Sequence, residues 1–261
     1  MTNEWDAAAG VYEDQFEVVT STTVGRLLDW IAPAPGMVVA DAACGPGTVS
    51  VQLAASGASV RASDFSEGMV SRARQRAAEL SFDALIEVEV ADAASLPLDD
   101  DAVDGAVSNF GVIFCPEIDA ALHELARVTH ADGRLAITAW TSEKTNGWTT
   151  LLAADYADEL GFAVPVRPMY RWAEEGDFRA ALDRAGWRAV EIETIDFAPK
   201  LLDPEDMGEA LTTPATRIAI ASLTDAQVEA LAAYLCRRGR EVYGGAPVPL
   251  PRQAWLARGV A

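Results

Sequence analysis

Residues 38–53 read VVADAACGPGTVSVQL, and the rest of the chain is organised around this stretch. Val38, Val39 and Ala40 form an apolar run of β type that ends at Asp41. Residues 43–47 are small and bend the backbone, and residues 48–56 read as a helix stopped by Gly57. A strand, a tight turn of small residues and a helix start make a nucleotide-type site. Small side chains let the backbone approach a ligand, and the first helical turn offers free N–H groups and partial positive charge.

Two nucleotide readings compete for that turn. A dinucleotide fingerprint requires G-x-G-x-x-G, and after Gly45 and Gly47 the third glycine is missing. The run Asp41-Ala42-Ala43-Cys44-Gly45-Pro46-Gly47 instead resembles motif I of the class I S-adenosylmethionine methyltransferases, D/E-x-G-x-G-x-G. It departs by one methyl group, Ala43 standing for the first glycine.

Composition narrows the partners. Half of the 261 residues are apolar, enough for a sizeable core. The 20 basic and 40 acidic residues leave a net charge of −20, which argues against nucleic acid or an anionic membrane as partner. Cys44, Cys115 and Cys236 are odd in number and widely spaced, with no C-x-x-C and no Cys/His cluster, so neither a disulfide framework nor a metal site is expected. The polar start MTNEWD and the lack of a long apolar run lead to the expectation of a cytoplasmic protein.

Taken in order, residues 1–32 read as a helical lid, with Val24, Leu27, Leu28 and Ile31 at helical spacing before Pro33. Residues 59–64 form a second strand ending in Asp64, which follows Asp41 by 23 residues, near the spacing of a ribose-binding carboxylate. Ser66 caps the next helix, whose apolar positions are Met69, Val70, Ala73, Ala77 and Leu80. Strands are expected at 86–90, 103–110 and 134–140, with a helix from Pro116 through Val128. Alternation of strand and helix predicts an α/β fold, a doubly wound, mostly parallel sheet with right-handed crossovers. Beyond it, helices are expected at 148–160, 178–185, 204–221 and 225–240, and strands at 187–197 and 254–257. The whole chain reads as a single domain, with residues 37–140 as its core and 141–261 as a C-terminal half carrying a helical cap insertion at about 198–250.

Four features now stand in one order: motif I; Asp64-Phe65-Ser66-Glu67-Gly68-Met69; Ala91-Asp92-Ala93 with Leu96-Pro97 downstream; and residues 103–110, VDGAVSNF, with Arg127-Val128 before an Asp-Gly turn. Their joint spacing resembles the class I S-adenosylmethionine-dependent methyltransferases, particularly the type that includes ubiquinone and menaquinone biosynthesis enzymes. The resemblance covers roughly residues 37–140 and implies a Rossmann-like seven-stranded sheet whose last strand is antiparallel. It also implies S-adenosylmethionine as cofactor and S-adenosylhomocysteine as product. His130-Ala131-Asp132-Gly133 stands where the family commonly has a Pro-Gly-Gly turn.

By that resemblance Asp41, Ala43, Gly45 and Gly47 frame the methionine half of the cofactor. Asp64 accepts the ribose hydroxyls, Phe65 and Met69 enclose adenine, Asp92 and Ala93 meet the adenine edge, and Asn109 and Phe110 line the methionine amino group and the acceptor mouth. Each has a plainer reading as well: a tight turn, a strand-end acid, a core methionine, a loop carboxylate. Methyl transfer to a ready electrophile depends mostly on positioning, which suits a site without a catalytic triad. His123 reads as a solvated helix residue and His130 as part of a distant turn, so the pocket groups named for catalysis are Tyr12, in the lid, and Asn109. No N-P-P-Y run follows Asn109, which with the acidic charge favours a small-molecule acceptor, methylated on O, C or N; the aromatics Trp5, Tyr12, Phe16, Trp148, Tyr170 and Trp172, outside the sheet core, point to an apolar or aromatic one. The alternatives are a protein of the same fold using bound S-adenosylmethionine for cyclisation or decarboxylation, a nicotinamide-dependent oxidoreductase, and a non-enzymatic binding or regulatory protein with a decayed cofactor site, against which Asp64 and Asp92 speak. Neither the acceptor's identity nor the oligomeric state has a signature in the sequence.

Overall fold

The apolar run before Asp41 becomes β1 (Val38–Ala42), with four of its five residues buried. Burial of this kind is what the centre of a parallel sheet requires. The other strands are β2 (Ser59–Asp64), β3 (Ile86–Val90), β4 (Val103–Asn109), β5 (Thr129–Trp140), β6 (Arg188–Leu202) and β7 (Val248–Val260). They form one seven-stranded sheet in the order β3-β2-β1-β4-β5-β7-β6. The pairs β1/β2, β1/β4, β2/β3 and β4/β5 are parallel. The Ala261 N–H donates to Gly133 O at 2.9 Å and the Thr141 N–H to Gln253 O at 3.2 Å. Positions on β7 thus fall as those on β5 rise, so β7 runs antiparallel to it. The structure, a computed structural model, describes residues 5–6, 17–165 and 168–261.

Among the described residues the helices of five residues or more are α1 (Val24–Ile31), α2 (Thr48–Ala55), α3 (Glu67–Glu79), α4 (Ile118–Val128), α5 (Tyr156–Leu160), α6 (Glu175–Arg184), α7 (Pro214–Ala219) and α8 (Asp225–Tyr243). In α1 the buried residues Val24, Leu27 and Ile31 share one face, and the helix stops at Ala32 in a left-handed conformation just before Pro33. Ser66 caps α3 as expected, its hydroxyl accepting from the Met69 N–H at 3.2 Å. Thr224 and Gln227 make a reciprocal capping box at the start of α8.

The chain divides into two compact units. The first comprises Met1–Ala139, Glu174–Thr194 and Trp255–Ala261. Its core includes Leu27, Ile31, Val39, Leu53 and Val60, all fully buried. The second comprises Trp140–Ala173 and Ile195–Ala254. Its core gathers Trp148, Met207, Leu231, Tyr234, Leu235 and Val248. Among the described residues no helix is long and apolar enough to cross a membrane.

Several expected boundaries move. The run 148–160 is not one helix but a 3-10 stretch, Gly147–Leu151, followed by the short α5. Thr149 and Thr150 turn their hydroxyls back to the Asn146 and Gly147 carbonyls three residues earlier, which tightens the turn and ends it. The run 204–221 splits at Thr212-Thr213-Pro214 into a 3-10 stretch, Pro204–Leu211, and α7. Proline at 214 brings no N–H and disfavours helix at the residue before it. Strand β7 is 13 residues long rather than four. Pro249 and Pro251 hid its first half, yet they lie two apart, so both missing donors fall on one edge of the strand. Finally, the His130–Gly133 turn is an irregularity inside β5: β4 advances from Val103 to Gly105 while β5 advances from Thr129 to Arg134. Gly133 is required there, since an added Cβ would lie 2.4 Å from the Thr129 side chain and 2.8 Å from His130 O.

Candidate functional site

The strand order reverses between β1 and β4, and ligands of open α/β sheets sit at that reversal, outside the carboxyl ends of the strands. A cleft lies there in the first unit. Asp41 and Ala43 line it from β1, Asp64 and Phe65 from β2, and Asn109, Phe110 and Gly111 from β4.

The turn after β1 is built from left-handed residues at every second position: Ala43 (φ 52°), Gly45 (φ 56°) and Gly47 (φ 81°). Such alternation turns backbone N–H groups toward one concavity, a natural seat for a carboxylate. Glycine adopts this conformation freely and alanine at a cost, so Ala43 keeps the backbone shape of the glycine it stands for. Gly47 opens α2, close enough to α3 that a Cβ would meet Ala73 Cβ at 3.2 Å.

Two acids face this turn. Asp64 is buried; its Oδ2 accepts the Gly45 N–H and its Oδ1 the Ser66 N–H, each at 2.9 Å. Burial raises its pKa, those two backbone bonds oppose the rise, and nearby Asp6 adds to it. Asp41 is fully buried, and its Oδ2 accepts from Ser50 Oγ at 2.6 Å. Its Oδ1 is buried with no hydrogen-bond partner among the described residues. Burial pushes the Asp41 carboxyl up to about 7, the Ser50 bond opposes this, and the charge of Asp64 adds to it. Beside them, burial pushes the Cys44 thiol up, so Cys44 lines the cleft as a neutral group.

At the end of β4, Asn109 is engaged on both sides of its amide. Its Nδ2 donates to Thr20 O at 2.9 Å, and its Oδ1 accepts from Thr23 Oγ1 at 2.8 Å and Thr138 Oγ1 at 2.9 Å. It ties the segment before α1 to β4 and β5. Phe110 then takes a positive φ of 57°, held by its N–H donating to Thr138 Oγ1 at 2.8 Å. A bulky residue in this region is strained, and such strain collects at functional sites.

The start of the chain reaches the same cleft. Trp5 lines it and meets Phe114 edge-on, with ring centroids 5.0 Å apart. Asp6 Oδ1 accepts from Ser66 Oγ at 2.5 Å and the Gly68 N–H at 2.9 Å, which sets a carboxylate at the positive end of α3. Glu17 and Arg76 form a two-pronged pair at 2.8 Å, and Thr48 Oγ1 donates to the same Glu17 carboxylate at 2.9 Å.

Of the residues singled out from sequence, Asp41, Ala43, Gly45, Asp64, Phe65, Met69, Asn109 and Phe110 come together in this cleft. Gly47, Asp92 and Ala93 are not among its lining residues. Asp92 is exposed and uses Oδ1 to accept the Ala94 N–H at 2.9 Å. Tyr12 lies outside the described residues. His123 is exposed on α4, and His130 pairs with Asp104 where β4 and β5 begin, away from the cleft. Thr20, Pro46, Thr48, Val49, Gly111 and Phe114 join the cleft without having been singled out. Of these only Pro46, Thr48 and Val49 had a signal, their place in the turn and first helical turn after β1.

The arrangement suits a cation flanked by a carboxylate: a backbone concavity beside a buried acid with one unanswered oxygen. An amino acid bearing an onium centre fits that donor set, and Asp64 with Phe65 leaves room for a sugar and a flat ring.

The Methyltransferase domain family matches residues 40–137. A demethylmenaquinone methyltransferase of Clavibacter sepedonicus is 43% identical over 112 residues, 43% of this chain and 44% of that protein. One from Beutenbergia cavernae is 31% identical over 175 residues, 62% of this chain and 70% of that protein. The chain spans about half the length of the curated relatives it matches first. In fold it is similar to a phosphoethanolamine N-methyltransferase from Haemonchus contortus, solved with phosphomonomethylethanolamine and S-adenosylhomocysteine: TM-score 0.59 and 16% identity, over 98% of this chain and 57% of that one.

Proposed function

The chain belongs to the class I S-adenosylmethionine-dependent methyltransferases, and we propose that it transfers the cofactor's methyl group to O, C or N of a small apolar or aromatic metabolite. The observation that carries this reading is the pairing of a fully buried, half-satisfied Asp41 with a concave, left-handed turn at the mouth of one cleft.

When bound, S-adenosylmethionine supplies a methyl group already activated on a sulfonium. The protein's task is to hold, orient and exclude water. The turn at Ala43, Gly45 and Gly47 would hold the carboxylate end, and Asp41, through Oδ1, would answer the cationic end. Asp64 spends one lone pair on each of two backbone N–H groups and keeps the others for the ribose hydroxyls. Phe65 and Met69 enclose the adenine. Asn109, with its amide engaged on both sides, positions the acceptor side of the cleft and moves no proton. Trp5, Phe110 and Phe114 line the cleft with aromatic surface, which supports an apolar or aromatic acceptor. We assign Tyr12 to the lid as the remaining candidate for proton removal. A net charge of −20 supports a small-molecule partner rather than nucleic acid, and three widely spaced cysteines suit a cytoplasmic setting.

The test is calorimetric titration with S-adenosylmethionine, S-adenosylhomocysteine and NAD on wild type and Asp64→Ala, with unfolding curves run alongside. Micromolar adenosyl binding that is lost in a folded Asp64→Ala variant is the expected result. Mass spectrometry for products heavier by one methylene then identifies acceptors. Binding of NAD alone, or of no adenosyl ligand, overturns the reading.

A further inference from the structure

Ser50 stands in the first turn of α2, three residues beyond the left-handed Gly47, and is buried at 1% exposure. A serine or threonine on a helix commonly turns its hydroxyl back to the carbonyl four residues earlier. Ser56 and Thr129, at the ends of α2 and α4, do so, donating to Gln52 O at 3.1 Å and Leu125 O at 2.7 Å. Ser50 does not. Its single proton goes to Asp41 Oδ2 at 2.6 Å, on β1 rather than on its own helix.

Packing alone gives no reason for a hydroxyl at this position. The other buried residues of α2 are Val49, Val51, Leu53 and Ala54, all apolar. A hydroxyl among them would carry a desolvation cost unless a partner met it, and the partner it meets is the acid that lines the cleft.

A carboxylate is planar, so a bond that fixes one oxygen fixes the direction of the other. Among the described residues Asp41 Oδ1 is buried and has no hydrogen-bond partner. The groups around it do nothing to hold it ionised. Burial raises the Asp41 pKa, the charge of Asp64 on β2 adds to the rise, and the Cys44 thiol stays neutral. Ser50 opposes them, because a donated hydrogen bond favours the charged form of an acid.

We propose that Ser50 is a positioning residue for the cofactor: it holds Asp41 Oδ2 so that Oδ1 is the oxygen presented to the ammonium group of the cofactor's amino-acid end. The inference rests on the reading of this cleft as a S-adenosylmethionine site.

The experiment compares wild type with Ser50→Ala, which removes the hydroxyl, and Ser50→Thr, which keeps it. Two ligands are titrated by calorimetry between pH 6 and 8.5. S-adenosylhomocysteine carries the ammonium group, and 5′-methylthioadenosine keeps the adenine and ribose without it. Ser50→Ala should bind S-adenosylhomocysteine about tenfold more weakly at pH 6, and the pH below which affinity falls should rise by about one unit. Ser50→Thr should keep the wild-type values, and 5′-methylthioadenosine should bind all three proteins alike. Thermal unfolding without ligand gives a second readout: Ser50→Ala should lower Tm more at pH 8, where the lost bond is to a carboxylate, than at pH 5.

Equal weakening of both ligands in Ser50→Ala would make the role merely structural and overturns the proposal. So does an unmoved pH dependence, a Ser50→Thr variant that behaves as Ser50→Ala, or a Tm loss that is the same at both pH values. If wild type binds neither ligand, the cofactor reading falls and this inference with it. If wild type binds S-adenosylhomocysteine and Ser50→Ala binds it equally well, only the inference falls.

Discussion

The Cβ that Gly111 lacks would lie 2.4 Å from the carbonyl oxygen of Ala43 and 2.6 Å from its methyl group. The turn after β4 thus closes directly onto the turn after β1. Gly111→Ala forces the two turns apart, and we expect a loss of about 2–3 kcal/mol in stability, with weakened cofactor binding. Ala43→Gly relieves the left-handed alanine but frees the unfolded chain, and its stability should stay within about 1 kcal/mol of wild type. Urea unfolding of both variants checks the pair.

Asp41 makes stability fall with rising pH. Its folded pKa, about 7, is above the unfolded value, so the folded protein holds the extra proton between about pH 4 and 7. Facing it are Asp64 from β2, Ser50 from α2 and the neutral Cys44. Over that window wild type should lose up to roughly 4 kcal/mol relative to Asp41→Asn. Affinity for the cationic cofactor should run the other way, weakening as pH falls below about 7, because ionised Asp41 is the form that answers it. Unfolding and titration series at several pH values test both slopes.

His130 and Asp104 make an opposite, outlying contribution. The His130 Nδ1 lies 2.7 Å from Ala131 O and its Nε2 3.0 Å from Asp104 Oδ1, so both ring nitrogens face acceptors and the charged imidazolium is favoured. The backbone bond to Ala131, and then Asp104, raise the His130 pKa. The Val38 N–H bond, and then His130, lower that of Asp104. The histidine's part is present below its unfolded pKa and lost as pH rises through its folded one; the aspartate's is lost as pH falls through its own. His130→Gln should therefore flatten the stability profile above neutrality and leave cofactor affinity unchanged. A change in affinity would refute the placement of His130 outside the site.

The Glu17–Arg76 pair should couple the segment before α1 to α3. Both side chains are largely buried, at 20% and 13% exposure, and the pairing is two-pronged. A double-mutant cycle with Glu17→Gln and Arg76→Met should return about 1–2 kcal/mol of interaction.

Trp5 reports on occupancy. It lines the cleft against Phe114, so cofactor binding should change its fluorescence, and Trp5→Phe should abolish that change while keeping most of the affinity.

Much of the site was legible because its parts are local. Asp41 to Gly47 is one turn, Ser66 caps the helix it precedes, and Asp64 ends the strand before that cap. Gly111 was not legible, since its constraint is the carbonyl of a residue far away in sequence. Nor was the engagement of Asn109: Thr20, Thr23 and Thr138 are brought to it by three separate elements. Asp92 shows the converse. It stands at the expected spacing, yet its side chain turns back to its own loop at Ala94.

The sequence by itself determined the alternation of strands and helices, the turn after β1, and the family to which residues 37–140 point. These follow from hydrophobic periodicity and from short-range backbone chemistry, which act within a few residues. Tertiary structure alone decided which polar atoms are satisfied. Among the described residues Asp41 keeps an unanswered oxygen only because of what packs around it. Burial sets the cost of a charge, and burial belongs to the packed chain rather than to any stretch of it.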